Sequence, residues 1–149
     1  MRALTLEQLA TLVGQPLGES APVVVDQARI DAFAAATEDR QWIHVDPQRA
    51  AAGPFGGTVA HGYLTLSLLP VLLESALRVE GARMGINYGL NKVRFPAPVR
   101  AGSVLRARFR LLAFDAVPGG AQLTVEATIA AEGADKPACV AEALSRWLV

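Results

Sequence analysis

Several things are scarce in this chain, and each scarcity removes a class of explanation. Only one cysteine, Cys139, stands among its 149 residues, so no internal disulfide can form, and the amino-terminal MRALTLEQLA has no long apolar stretch leading to a cleavage site. Together these predict a reducing, cytoplasmic setting. Excess charge of either sign is absent: 14 Lys and Arg balance 14 Asp and Glu. That removes the electrostatic footprint of a nucleic-acid binder or of a protein held on an anionic membrane. The partners to expect are a small molecule or a second copy of the chain. Two histidines, a distant cysteine and no HExxH pattern supply no recognisable ligand set, so no metal is expected. Internal repeats and low-complexity tracts are also missing.

What is present is enough for one ordinary domain, residues 1–149, with 52% hydrophobic residues to build its core. Thr5 followed three residues later by Gln8 predicts a capped short helix that ends by Gly14 and Pro16. PVVV at 22–25 predicts a first strand. Asp26 is an N-cap for a helix carrying Ile30, Phe33 and Ala34 and running into Asp39. Asp46-Pro47 starts a second short helix that dies at Gly53-Pro54, with Trp42 and Ile43 in a turn between the two. From Val59 to Leu77 the chain is apolar nearly all round. The run is shorter than the ~20 residues a membrane span needs and contains His61, Thr65, Ser67 and Pro70. It predicts one long buried helix, kinked where Pro70 removes a hydrogen bond.

Beyond Met84 the period changes to two. Leu105, Ala107, Phe109 and Leu111 alternate with Arg106, Arg108 and Arg110, and Leu123, Val125, Ala127 and Ile129 alternate with polar residues. Each segment is a strand with one wet face, and Pro118-Gly119-Gly120 between them is a hairpin turn. Two further strands are predicted, Ile86 to Phe95 and Ala138 to Leu148. The arginine row reads as a solvated face paired across to Glu126 rather than a phosphate-binding stripe. The fold class is α+β, an antiparallel sheet wrapped around a long central helix.

Chemistry concentrates between Glu38 and Leu68. This stretch holds both histidines, His44 and His61, the carboxylate of Asp39 five residues before the first, a Gly-rich loop and a helix start at Gly62. An acid and an imidazole close together can share a proton and a water, which is the minimum for general acid/base work. Spacing alone does not bring Asp39 and His44 together. Taken singly, Asp39 also fits a helix C-terminal or turn residue, and His44 a satisfied, partly buried histidine.

The run Asp39-Arg40-Gln41-Trp42-Ile43-His44, then GPFGGTVAHGYLTLSLLP with His61-Gly62, and NYGLNKVRFPAPVRAG at 87–102, resembles the MaoC-like (R)-specific enoyl-CoA hydratases of hot-dog fold. Gln41-Trp42 in place of the usual Asn-Pro is closer to the nodulation protein N-like branch. The resemblance implies a hydro-lyase in which Asp39 and His44 hold a water and shuttle its protons. It also places the oxyanion donor at the backbone N–H of Gly62. Free N–H groups at a helix start and a glycine that lets substrate approach the main chain suit that role. It implies a substrate that is an acyl-CoA thioester, no cofactor, and a homodimer. His61 is expected to order the loop or cap the helix beside the substrate. Gln41 keeps an amide able to orient a neighbour, and Trp42, Phe55 and Tyr63 either line an acyl tunnel or pack the core. Arg94, with Lys92 and Arg100, is a candidate for meeting nucleotide phosphates. A thioesterase and a non-catalytic acyl-thioester binding subunit are the alternatives on the same fold.

Overall fold

The alternating segments of the second half form the wall of the molecule in the computed structural model, which describes residues 1–149. In chain order the elements are β1 (Arg2–Leu4), α1 (Leu6–Ala10), β2 (Pro16–Glu19), β3 (Val23–Val25), α2 (Gln27–Thr37), α3 (Trp42–Val45), α4 (Pro47–Ala51), α5 (Gly62–Ser67), α6 (Leu69–Ala76), β4 (Leu77–Val79), β5 (Met84–Arg94), β6 (Ser103–Val117), β7 (Gly120–Ala131) and β8 (Cys139–Leu148). The last four strands join antiparallel in the order β6-β7-β8-β5, with β2 and β3 both added on the free side of β6. Leu105, Ala107, Phe109 and Leu111 are buried on the inner face of β6. On the outer face Arg110 donates to Glu126 at 2.9 Å and Arg106 to Glu132 at 2.8 Å, so the arginine row is a solvated face bonded across the sheet.

The concave side of this sheet holds α6, whose Leu72 is fully buried with Leu105, Leu111 and Ile129 in one core. The central helix differs from the sequence expectation at three points. Val59 bridges Arg100 in extended conformation, and helix begins only at Gly62. It breaks at Leu68 into α5 and α6, with Pro70 in the first turn of α6, where a missing N–H costs least. It stops at Ala76 because Leu77–Val79 is drawn into a parallel pair with β1. Nor is it apolar all round in its setting. Leu64, Thr65, Leu68, Leu69, Leu72, Leu73 and Ala76 are buried, whereas Tyr63, Ser67, Pro70, Val71 and Glu74 form an exposed stripe.

The predicted capping box is present, with Thr5 and Gln8 bonded reciprocally. Short β1, β2 and β4, three or four residues each, have no room for an alternating pattern. Trp42 and Ile43 belong to a single helical turn rather than the expected turn between helices. No helix is long and apolar enough to cross a membrane.

Candidate active site

Four short segments arch over the start of α5, and local chemistry sets each. Asp26 caps α2, its Oδ1 accepting the Arg29 N–H at 2.8 Å. The helix ends at Thr37, where Glu38 adopts φ 64°, a left-handed conformation costly for a residue with a side chain. That reversal ends α2 just before Asp39. The one-turn α3 carries His44 and has no side-chain cap, while Asp46 caps α4 by accepting the Arg49 N–H at 3.0 Å. Between α4 and α5, Arg100 donates to Gly56 O at 2.7 Å and lies flat on Gly57, where a Cβ would stand 2.6 Å from its guanidinium. A side chain at this position would displace the guanidinium from that contact.

Both imidazoles are buried, His44 at 7% and His61 at 3% exposure, and they stack with centroids 3.8 Å apart and planes 23° from parallel. The Nδ1 of His44 lies 2.6 Å from Val59 O. A carbonyl only accepts, so Nδ1 carries the hydrogen and Nε2 of the neutral ring is left with a lone pair. His61 Nε2 lies 2.9 Å from Asp39 O and by the same reasoning donates to it. Its Nδ1 is buried without a protein partner. The Asp39 carboxylate, half exposed, stands 4.0 Å from His61 Nε2. One polar atom from each of Asp39, His44 and His61 falls within 4.8 Å of the others.

Residues far apart in the chain thus converge at His61. It occupies the N-cap position of α5, yet its side chain makes no cap bond and reaches across to the Asp39 main chain. The Gly62 N–H makes no hydrogen bond within the chain. Gly62 lines a cavity of about 290 Å³ with Phe55, Ala60, Thr65, Phe95 and Val99. A larger groove of about 1010 Å³ runs between α5–α6 and β5 and reaches none of Asp39, His44, His61 or Gly62. Trp42 is held between Gly53 and the Arg49 guanidinium, which sits 4.4 Å from its ring centroid. Tyr63 is 70% exposed and meets Phe95 edge-on. Gln41 is exposed at the start of α3, and Arg94 is exposed with its guanidinium on Val93 O. Lys92 pairs with Glu142 at 3.2 Å.

Residues 8–133 match the model of the MaoC like domain family. The chain belongs to that family. This MaoC-like chain is 50% identical over 145 residues to 3-hydroxyacyl-thioester dehydratase Z of Mycobacterium tuberculosis, covering 97% of this chain and 96% of the relative. It is 46% identical to nodulation protein N of Rhizobium leguminosarum bv. viciae, over 95% of this chain and 89% of that one. Among solved structures it is similar to an (R)-hydratase from A. caviae involved in PHA biosynthesis, with TM-score 0.72 and 29% identity, covering 89% of this chain and 94% of that chain. The MaoC-like chain therefore has the hot-dog fold that its motifs suggested.

Asp39, His44 and His61 are also the one set of side chains here with a metal-like donor list. Their geometry suits an ion poorly. The His61 nitrogen that stands beside the Asp39 carboxylate, Nε2, is already bonded to Asp39 O at 2.9 Å, so its hydrogen and not a lone pair faces that side. Two contributors to the site left no mark in the sequence, Glu38 with its left-handed turn and Gln27, whose carboxamide bonds to His44 O at 2.7 Å.

Proposed function

We propose that this MaoC-like hydro-lyase interconverts trans-2-enoyl-CoA and (R)-3-hydroxyacyl-CoA, with Asp39 and His44 handling the protons. The observation that carries this reading is the convergence of the Asp39 carboxylate and the His44 ring within the 4.8 Å cluster, whose third member, His61, directly precedes the free N–H of Gly62. Hydration needs a water at the β-carbon, a proton at the α-carbon and a donor for charge on the thioester oxygen. The His44 Nε2 lone pair and the Asp39 carboxylate are both acceptors, so together they hold one water by its two hydrogens. As the water oxygen bonds the β-carbon, the pair takes one proton and returns one to the α-carbon, so the enzyme's protonation is unchanged over the cycle. The Gly62 N–H faces the oxyanion. No cofactor or metal is required. The names of the relatives, a 3-hydroxyacyl-thioester dehydratase and an (R)-hydratase, support the substrate class and the stereochemistry.

The test is the initial rate on crotonyl-CoA followed at the enoyl absorbance, with chiral analysis of the product. Asp39→Asn and His44→Gln keep shape and polarity and should each lower kcat by about 10²- to 10⁴-fold without unfolding the protein. The double variant should be little worse than the worse single, as expected of groups acting on one water. Near wild-type rates in both singles, an (S) product, or release of free thiol in place of enoyl loss would refute the reading.

The same proposal includes a homodimer. β5 has a ladder partner on one side only, and Met84, Ile86, Tyr88 and Leu90 expose apolar surface along it. Light scattering should give a mass near twice the 15.7 kDa chain. A stable monomer at micromolar concentration would exclude this part.

A further inference from the structure

His44 is held by a closed ring of hydrogen bonds that passes through a side chain outside the acid/base cluster. The helical turn that carries it is too short to be stable alone. Its geometry comes from three external bonds. The Val59 N–H donates to Ile43 O at 3.0 Å, the His44 ring donates to Val59 O, and the Gln27 carboxamide donates to His44 O at 2.7 Å. Gln27 also reaches the other side of the ring, because its Oε1 accepts from the hydroxyl of Thr58, the residue before Val59, at 2.5 Å. Its second N–H goes to Asp31 Oδ1 at 2.8 Å.

This pattern fixes the amide orientation. Both partners of Nε2, a carbonyl and a carboxylate, can only accept, so the nitrogen must face them and the oxygen must face the Thr58 hydroxyl. Every hydrogen-bonding direction of the carboxamide except one lone pair is used, and Thr58 is itself buried. Gln27 thereby ties the main chain at His44 to the main chain at Thr58–Val59, the two ends of the bond that sets the His44 tautomer.

We infer that Gln27 is a positioning residue for the reaction: by clamping α3 to Thr58–Val59 it keeps the hydrogen of His44 on Nδ1 and the lone pair of Nε2 toward the reacting water. This rests on the proposed proton-handling role of His44. Gln27 lines neither the 290 Å³ cavity nor the 1010 Å³ groove. Its effect should therefore fall on kcat rather than KM, since a displacement of about 1 Å at a reacting group can cost about 10²-fold in rate.

The experiment compares Gln27→Leu, Thr58→Val and Thr58→Ser with the parent protein. Circular dichroism reports the fold, nitrogen NMR of the His44 ring its tautomer, and crotonyl-CoA hydration kcat and KM. Gln27→Leu should change the single Nδ1–H form into a mixture and lower kcat by about 10- to 10²-fold with KM little changed. Thr58→Val should shift both in the same direction by less, and Thr58→Ser should restore both. Should Gln27→Leu fail to fold, Thr58→Val, which removes one bond of the ring, decides. A pure Nδ1–H form in the folded variant overturns the positioning role. A mixed tautomer with undiminished kcat overturns it too, and shows that the fault lies in the proton-handling role of His44 rather than in the clamp.

Discussion

The sheet and the arch over α5 are built on different physics. β6, β7 and β8 pair along ten or more positions, and their inner residues disappear together into one core. Each residue there is held by many weak contacts, and no single one sets the geometry. From Glu38 to His61, by contrast, helices of four and five residues are joined by irregular chain. Their placement depends on a few directional bonds: His44 to Val59, His61 to Asp39, Gln27 to His44 and Arg100 to Gly56. Removing a contact in the first region should cost stability and spare chemistry, and in the second the reverse.

The strongest test of that contrast lies on the core side. Leu72→Ala opens a cavity at a fully buried position and should destabilise the protein by about 2–5 kcal/mol. Well below its lowered melting temperature the variant should hydrate crotonyl-CoA at an unchanged kcat. A variant equally stable but slow would mean that core and site are not separable.

A comparable free energy should appear at Gly62 in rate alone. Gly62→Pro deletes the free N–H, and His61 at φ −57°, ψ 137° already has the extended conformation required before proline. Gly62→Ala crowds the same Phe95 ring, which a Cβ would meet at 3.0 Å, yet keeps the N–H. The proline variant should be slower than the alanine variant by about 10²- to 10³-fold in kcat, with similar melting temperatures. Equal rates would place the oxyanion donor elsewhere.

The smallest effect belongs to Cys139 at the start of β8. Burial pushes its thiol up from 9.0 to about 11. A folded-state value raised above the unfolded one gives stability that is intact below pH 9.0 and lost as pH rises through about 11. Melts across that window should decline less in Cys139→Ala than in the parent. Identical slopes would show that the sheet opens to solvent at β8.

Legibility follows the same divide. The strands from β5 to β8 could be read because alternation is a local property and the inner face of the sheet rewards it over many residues. Asp26, Asp46 and the Thr5–Gln8 box were legible for a similar reason, since a cap acts within three residues. The central run was read as one helix because hydropathy records burial, whereas its ends are set by partners distant in sequence, Arg100 for Val59 and β1 for Leu77. The motif names Asp39, His44 and Gly62, but the stacking of His61 on His44 and the Gln27 clamp depend on contacts 17 residues apart, which no local pattern encodes.

One pairing also bears on how the molecule is made. β5 precedes its ladder partner β8 by more than forty residues, with β6 and β7 between them. Until β8 pairs with it, the main chain of β5 lacks its ladder partner, whereas β6 and β7, joined by a short turn, close their hairpin locally. A chain in which β8 has not yet docked presents an unfinished sheet, the kind of surface that chaperones attend and that a neighbouring copy can capture. Slow docking of the final ten-residue strand is therefore the step that exposes the chain to misassembly, and swift docking is protective.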